Sequence, residues 1–402
     1  MPDVFIVDAC RTPMGRLGGK LAGVRPDDLA AHVVRSLLER NPGVTRGDIE
    51  DVVWGAANQS GEDNRNVGRM AALLGGLGIE TSGQTVNRLC GSGLQSVITA
   101  AHSLMAGWGE VMIAGGSESM SRAPFVLTKP ERAYGVGAPQ IADTVLGWRL
   151  VNPAMDEAFP PISLGLTAEK VAARYRVSRR DQDGFALDSH RKAVAAQAAG
   201  RFDSEITPIE APALPKQRST VLISEDEGPR KDTSLEALAR LSPVFQQGGT
   251  VTAGNSSPMN DGAAGVILAT EAGVRRLGLT PMARLVSSAA AGVHPDLMGI
   301  GPVPATHQAL ARAGLEIADL DLVELNEAFA AQAVACLNRL GLDPDRVNPN
   351  GGAIALGHPL GCSGARIVTT LVHELGRLKG RYGLATMCIG VGQGIALIIE
   401  RV

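Results

Sequence analysis

The strongest constraint on the fold is an internal repeat, because two parts of the chain carry the same motifs in the same order. Residues 48–53 read Asp-Ile-Glu-Asp-Val-Val, and residues 319–324 read Asp-Leu-Asp-Leu-Val-Glu. Farther along, a Val-Asn pair precedes a glycine-rich turn and a helix-like run, once at Val86 and again at Val347. The repeat predicts two similar halves packed around a pseudo-twofold axis.

Each copy has the alternating pattern of an α/β protein. Residues 110–116 of the first copy match residues 382–388 of the second, and both are short apolar runs typical of strands. Each half therefore reads strand, helix, strand, helix, strand. Two mixed sheets covered by helices predict five layers in the order α-β-α-β-α. The run at 110–116 is also a candidate for extending a sheet into a neighbouring subunit.

The repeat is interrupted by a stretch at 121–249, which is rich in proline and charge and has a helical pattern over 179–199. We predict an N-terminal half from 1–120 and 250–272, an inserted domain at 121–249, and a C-terminal half at 273–402. Composition alone favours an ordinary surface excursion over an inserted domain.

Bulk composition excludes several classes of function. Aromatic residues are 3% and the net charge is −3, which argues against nucleic acid and anionic membranes as partners. Five cysteines without a CxxC pair indicate free thiols in a reducing compartment, and we expect a cytoplasmic location. No cluster has metal-ligand spacing, and no phosphate-binding loop or GxGxxG motif is present.

Four residues on glycine-rich or polar turns suit thioester chemistry. Cys90 lies in Val-Asn-Arg-Leu-Cys-Gly-Ser-Gly, His358 in Leu-Gly-His-Pro, and Cys388 in Met-Cys-Ile-Gly-Val-Gly. Asn326 begins Asn-Glu-Ala-Phe-Ala. One thiol near a helix start can attack an acyl group, an imidazole can take its proton, and a second thiol can move a proton at carbon.

Each of these residues also has a structural interpretation. A lone cysteine is more often a buried residue that only packs than a nucleophile, and a loop histidine often only forms hydrogen bonds. Asn326 suits the N-cap of the following helix. The remaining cysteines are assigned to packing, and Cys362 belongs to the second copy of the Cys90 turn. They are Cys10, Cys336 and Cys362.

Together the four motifs resemble the thiolase family of acyl-CoA C-acyltransferases, over essentially the whole chain. The resemblance implies the five-layered fold and ping-pong exchange between 3-oxoacyl-CoA and CoA, as in fatty acid metabolism. It implies that Cys90 carries the acyl group, His358 activates it and Cys388 exchanges the α-proton. Gly390 would complete an oxyanion hole with the Cys90 N–H, and Asn326 with His358 would form a second through a water.

The resemblance also implies the binding partners. Acyl-CoA, acetyl-CoA and CoA are the expected ligands, the inserted domain would cover their site, and no metal or redox cofactor is implied. A homodimer is the minimum assembly and a tetramer is expected. The residues expected to contact CoA are Arg230, Ser257, Phe245, Ala328, Phe329 and Met298.

Some segments favour one branch of the family. Residues 163–169 lack the His-Met-Gly-like stretch of short-chain biosynthetic thiolases, and residues 86–93 and 382–402 are similar to degradative thiolases, including the 3-oxoadipyl-CoA type. Two alternative functions remain open. A ketosynthase-like condensing enzyme would not need the thiol of Cys388, and a non-enzymatic lipid carrier would often carry another motif at Asn326.

Overall fold

The computed structural model describes residues 2–130, 132–213 and 219–402. The strands are β1 Val4–Arg11, β2 Gly15–Arg16, β3 Asp51–Gly55, β4 Ser82–Val86, β5 Val111–Ser119, β6 Phe125–Leu127, β7 Ile141–Asp143, β8 Ile209–Pro212, β9 Thr220–Ile223, β10 Asn260–Thr270, β11 Ala283–Gly292, β12 Leu320–Leu325, β13 Tyr382–Ile389 and β14 Gln393–Arg401. The helices are α1 Pro26–Arg40, α2 Val67–Leu74, α3 Ser92–Met105, α4 Pro153–Ala158, α5 Leu164–Tyr175, α6 Arg179–Ala198, α7 Leu235–Ala239, α8 Glu271–Leu277, α9 Pro302–Ala313, α10 Ala330–Leu340, α11 Ala353–Leu356 and α12 Leu360–Leu378.

The central sheet is continuous across both halves. Its strands follow the order β12-β13-β14-β11-β1-β10-β5-β3-β4, with β2 paired to β10. The halves meet where β1 pairs with β11 through only two residue pairs, Phe5 with Arg284 and Ile6 with Ala283. Because this junction is so short, the sheet is best described as two half-sheets joined at one corner.

Helices complete the five predicted layers. α1 and α2 cover the outer face of the first half-sheet, and α9 covers the outer face of the second with α10 beside it. α3 and α12 pack against each other between the half-sheets, and α12 contacts strands of both. The apolar faces of α3 and α12 fill this middle layer with residues such as Leu94, Val97, Ile367 and Leu371, all buried.

Glycines allow α3 and α12 to meet backbone to backbone at the pseudo-twofold axis. A Cβ added to Gly93 would lie 2.7 Å from the Ala365 nitrogen, and one added to Gly364 would lie 2.1 Å from the Leu94 nitrogen. The two contacts are reciprocal, so Gly93 and Gly364 occupy equivalent positions in the two copies of the repeat. With the same offset along the chain, Gly361 is the equivalent of Cys90.

The predicted repeat is confirmed in its main features. β3, α2, β4, α3 and β5 give the predicted order in the first half. In the second half, β12, α10, α12 and β13 follow the same order, but the position of β4 is taken only by an isolated bridge between Val323 and Val347. The predicted helix at 179–199 is α6, Arg179–Ala198.

One prediction about sheet edges is wrong. The run at 110–116 forms β5, which is paired with β10 on one side and β3 on the other. Both of its edges are occupied, so β5 has none with which to extend a sheet into a second subunit. The edge strand on this side of the sheet is β4. Within the described residues, no helix is long and apolar enough to cross a membrane.

Candidate active site

Cys90 lies where the sequence predicts it, in the tight turn between β4 and α3. Leu89 has a φ of 48°, in the left-handed region. A Cβ added to Gly91 would lie 2.6 Å from a side-chain carbon of Ile389, so only glycine lets this turn approach β13. The turn holds the Cys90 side chain, which is buried, beside the end of β13.

Two backbone N–H groups lie near the Cys90 sulfur. Burial raises the pKa of the Cys90 thiol, and the N–H groups of Gly390 and of Cys90 itself partly offset that rise. Backbone donors close to Sγ can also stabilise negative charge on the oxygen of a thioester formed there. The pairing of Cys90 and Gly390 as an oxyanion hole stays a prediction, which the nearness of both groups to the sulfur supports.

His358 lies on the loop between α11 and α12, as predicted, and not on a helix face. Its Nδ1 is 2.6 Å from the hydroxyl of Ser363, and that hydroxyl donates to the Pro359 carbonyl at 2.8 Å. Because the Ser363 hydroxyl already donates its proton to the Pro359 carbonyl, its oxygen accepts the Nδ1–H of His358. The lone pair of the imidazole is therefore on Nε2. Burial, with a smaller effect from Arg366, lowers the pKa of His358 to about 3, so the resting imidazole is neutral and its Nε2 lone pair is free.

Asn326 is next to His358 but does not cap a helix. Its Nδ2 lies 3.5 Å from His358 Nε2. Its Oδ1 is buried without a hydrogen-bond partner in the part of the chain that the structure describes. The following helix, α10, begins at Ala330 with Phe329 as its N-cap, so the N-cap interpretation of Asn326 is wrong. A buried unpaired oxygen next to the imidazole suits a bound water, as the resemblance implies.

Cys388 lies near the end of β13, one residue before the strand stops. Burial raises the pKa of its thiol well above the ordinary value, and proximity to Cys90 and Cys336 adds to the rise. The thiol is therefore protonated at neutral pH. A protonated thiol in a dry site can donate a proton to a carbanion.

The chemistry-bearing residues converge on one cavity of about 200 Å³. Cys90, His358 and Cys388 all line it. Of the residues predicted to contact CoA, five line the same cavity: Ser257, Phe245, Met298, Ala328 and Phe329. The rings of Phe245 and Phe329 meet edge to face with centroids 6.3 Å apart. Asn326 lies behind His358, outside this lining.

A second cavity, also of about 200 Å³, adjoins the first and shares Cys90, Met120 and Leu164 with it. Gly390 lines this one, with Leu89, Glu118 and Arg149. Arg230, the sixth residue predicted to contact CoA, lines neither cavity and is exposed. Its backbone N–H donates to His190 Nδ1 at 3.2 Å. Within the described residues, no cluster of three or more His, Cys, Asp or Glu is arranged to hold a metal ion.

Sequence reasoning missed two residues that organise the site. Ser363 orients His358, and the repeat was the available signal, since Ser363 corresponds to Ser92 beside Cys90. Glu118 accepts N–H bonds from Ala57, Asn58 and Gly361 at 3.0, 3.3 and 2.9 Å, which ties three segments together at the cavity. The available signal for Glu118 in the sequence was its charge, which stands near the end of the otherwise apolar strand β5.

Comparison with known proteins agrees with this geometry. The model of the thiolase N-terminal domain matches residues 4–272, and that of the thiolase C-terminal domain matches residues 279–401. The beta-ketoadipyl-CoA thiolase of Pseudomonas aeruginosa is 55% identical over 402 residues, covering 100% of this chain and 99% of that protein. The 3-oxoadipyl-CoA/3-oxo-5,6-dehydrosuberyl-CoA thiolase of Escherichia coli K12 is 55% identical over 405 residues, with 100% of both chains covered.

Solved structures show the same fold. Human mitochondrial 3-ketoacyl-CoA thiolase superposes with a TM-score of 0.93 at 41% identity, covering 100% of this chain and 99% of that one. These matches decide against the ketosynthase and lipid-carrier alternatives. The chain belongs to the thiolase family.

Proposed function

We propose that this thiolase cleaves 3-oxoadipyl-CoA with CoA, giving succinyl-CoA and acetyl-CoA. The observation that carries the chemistry is the convergence of Cys90, His358 and Cys388 on one cavity. The substrate rests on the relatives, two of which are named for beta-ketoadipyl-CoA or 3-oxoadipyl-CoA. In preference to fatty acid metabolism, we therefore place the enzyme in aromatic degradation, with a cytoplasmic location.

In the first step, Nε2 of His358 takes the Cys90 proton and the thiolate attacks C3 of the substrate. The tetrahedral oxygen accepts from the N–H groups of Cys90 and Gly390. The bond between C2 and C3 then breaks, the succinyl group stays on Cys90, and the electron pair goes to C2 as the enolate of acetyl-CoA. Burial of both thiols favours a reaction that begins only after substrate excludes the remaining water.

In the second step, Cys388 donates its proton to C2 and acetyl-CoA leaves. Protonated His358 and a water held by Asn326 stabilise the enolate oxygen. The thiol of incoming CoA then returns a proton to Cys388 and attacks the succinyl carbonyl. Cys90 leaves as a thiolate and regains its proton from His358, so each group ends as it began. Two thiols and one imidazole of the protein relay every proton, the net proton at C2 comes from CoA, and we propose no metal or redox cofactor.

The CoA arm is assigned to the cavity that contains His358. Ser257 donates to the Ala328 carbonyl at 3.0 Å, and its lone pairs stay available to a pantetheine amide. Phe245, Phe329 and Met298 supply an apolar channel for the pantetheine chain. Arg230 lies outside the cavities, so we propose it for the phosphate end of CoA, with the inserted domain covering the site.

The substrate is tested by kcat/KM for a panel of 3-oxoacyl-CoA thioesters. We expect activity with acetoacetyl-CoA and longer neutral chains, with the highest kcat/KM for 3-oxoadipyl-CoA. A higher kcat/KM for a long neutral chain would overturn the proposed substrate and leave the thiolase chemistry standing.

Ser363→Ala is expected to lower kcat about 10- to 100-fold, because each 1.4 kcal/mol of lost transition-state positioning costs about tenfold. The buried Nδ1–H of His358 loses its acceptor, which destabilises the fold by about 1–3 kcal/mol. Thr369→Val is the matched control, since Thr369 donates only to the Ala365 carbonyl on the same helix. Steady-state kinetics and thermal unfolding of both variants test this. Equal loss of kcat in the two would show that Ser363 acts only through stability.

We propose a homodimer at minimum, and a tetramer as the expected assembly. Closed symmetry favours even-numbered homo-oligomers, and the unpaired edge of β4 can add to the same strand of a second copy. Light scattering coupled to size exclusion measures the mass directly. An active monomer of 41.7 kDa would refute the dimer, and an active dimer would refute the tetramer.

A further inference from the structure

Among the described residues, Arg149 is the one cationic side chain that lines either cavity at Cys90. As far as the structure describes the chain, the cavity with His358 has no Asp, Glu, Lys or Arg in its lining. The second cavity has two charged residues, Glu118 and Arg149. A cation in the wall of a small, mostly apolar cavity next to the acyl-carrying sulfur needs an explanation, because a neutral acyl chain gains nothing from it.

The guanidinium of Arg149 is only weakly engaged by the protein. Its one hydrogen bond to a described residue runs from an Nη to the hydroxyl of Ser60 at 3.4 Å. In the part of the chain that the structure describes, no carboxylate lies within 4.0 Å of it, whereas nearby Arg122 is paired with Glu62. Arg149 is half-buried. Most of its N–H donors are therefore free to face a ligand.

The other charged group in this cavity is already engaged. Both carboxylate oxygens of Glu118 accept backbone N–H groups. Burial, with a smaller effect from Asp63, raises the pKa of Glu118 to about 7, which weakens its repulsion of an anion. The rest of the lining is largely apolar, including Leu89 and Val145. A carboxylate entering this cavity therefore has one ionic partner, Arg149.

We propose that Arg149 binds the terminal carboxylate of a dicarboxylic acyl group carried on Cys90. This rests on the proposed thiolase function and adds a specificity-determining residue to it. The planar guanidinium fork matches a carboxylate and holds it through two parallel hydrogen bonds. A succinyl group is short, so its carboxylate stays within the same cavity as Cys90.

The test compares kcat/KM for 3-oxoadipyl-CoA with that for 3-oxohexanoyl-CoA, which has the same number of acyl carbons and no terminal carboxylate. Wild type is expected to favour 3-oxoadipyl-CoA. Arg149→Gln is expected to reduce that preference about 10- to 100-fold, the range typical of a hydrogen bond to a charged group, with the loss mainly in KM. Arg149→Lys should retain part of it. Arg174→Gln, at an exposed arginine in the last turn of α5, is the matched control and should leave the ratio unchanged.

The outcomes are distinct. A fall in kcat/KM of Arg149→Gln that is equal for both substrates would show a structural role and overturn the proposal. An unchanged ratio would also overturn it, as would a wild-type enzyme that cleaves both substrates equally well. Failure of the wild type to cleave either substrate would instead defeat the proposed thiolase function.

Discussion

Cys90→Ala is expected to abolish turnover, with a loss of kcat of about 10⁴- to 10⁶-fold, the scale seen when an enzyme loses its nucleophile. We expect no other thiol to replace it, because among the described cysteines Cys90 is the one with the N–H groups of both Gly390 and Cys90 near its sulfur. Wild-type kinetics should show the parallel lines of a ping-pong mechanism. Brief incubation with acetyl-CoA should add one acetyl group to the peptide that contains Cys90.

Cys362→Ala is the matched control for this experiment. Cys362 is a fully buried cysteine in α12, packed with Met14, Ala264 and Ala365. Burial raises the pKa of its thiol to about 12. The variant should keep its activity and its acetylation at Cys90. Acetyl label on Cys362 or Cys388 of the wild type would contradict the assignment of the nucleophile.

Cys388→Ala is expected to separate the two halves of the reaction. Acylation of Cys90 by acetyl-CoA needs no proton at carbon, and CoA can leave as a thiolate without the proton of Cys388, so the acyl-enzyme should still form, although more slowly. Thiolysis of 3-oxoacyl-CoA should fall by about 10²- to 10⁴-fold, the usual contribution of a positioned acid or base. The variant should also fail to exchange the α-protons of acetyl-CoA in deuterated water, which NMR detects directly.

Cys336→Ala serves as the control for Cys388. Cys336 is a second buried thiol in the same apolar cluster, and its sulfur donates to the Gly299 carbonyl at 3.2 Å. It lies outside the lining of the cavity at Cys90, so its loss should affect stability more than kcat. If Cys388→Ala turned over at nearly the wild-type rate, Cys388 would return to a packing role like that of Cys336.

The sequence predicted the residues of the site better than their surroundings. Cys90, His358 and Cys388 lie in or next to glycine-rich turns. The glycines themselves indicate in the sequence that the backbone is constrained there. Ser363 was not found although it lies only five residues after His358, because the local geometry that brings its hydroxyl to Nδ1 is not visible in the residue types. Arg149 was not found because its place in the cavity at Cys90 depends on contacts between segments far apart in the chain. Arg149 in addition lies in the non-repeating stretch, where no second copy offers a comparison.

For the fold, too, local features were predicted from the sequence and long-range contacts were not. The repeat predicted the layers, since periodicity and motif order are local properties. It did not predict that β1 and β11 join the half-sheets, because a strand's partner is chosen by long-range packing. The placement of 110–116 at an edge was wrong for the same reason. Asn326 was offered as an N-cap from its residue type, but α10 begins four residues later.

The reciprocal contact of Gly93 and Gly364 has a consequence for stoichiometry. Under exact twofold symmetry, the turn that carries Cys90 would carry a second cysteine at the corresponding position. In this chain the position that corresponds to Cys90 is Gly361, where a Cβ would lie 2.5 Å from the Ser117 carbonyl oxygen. A cysteine there has no room. The mechanism proposed for Cys90 and His358 therefore predicts one acyl group per chain, with the acylated thiol on one copy of the repeat and the imidazole on the other.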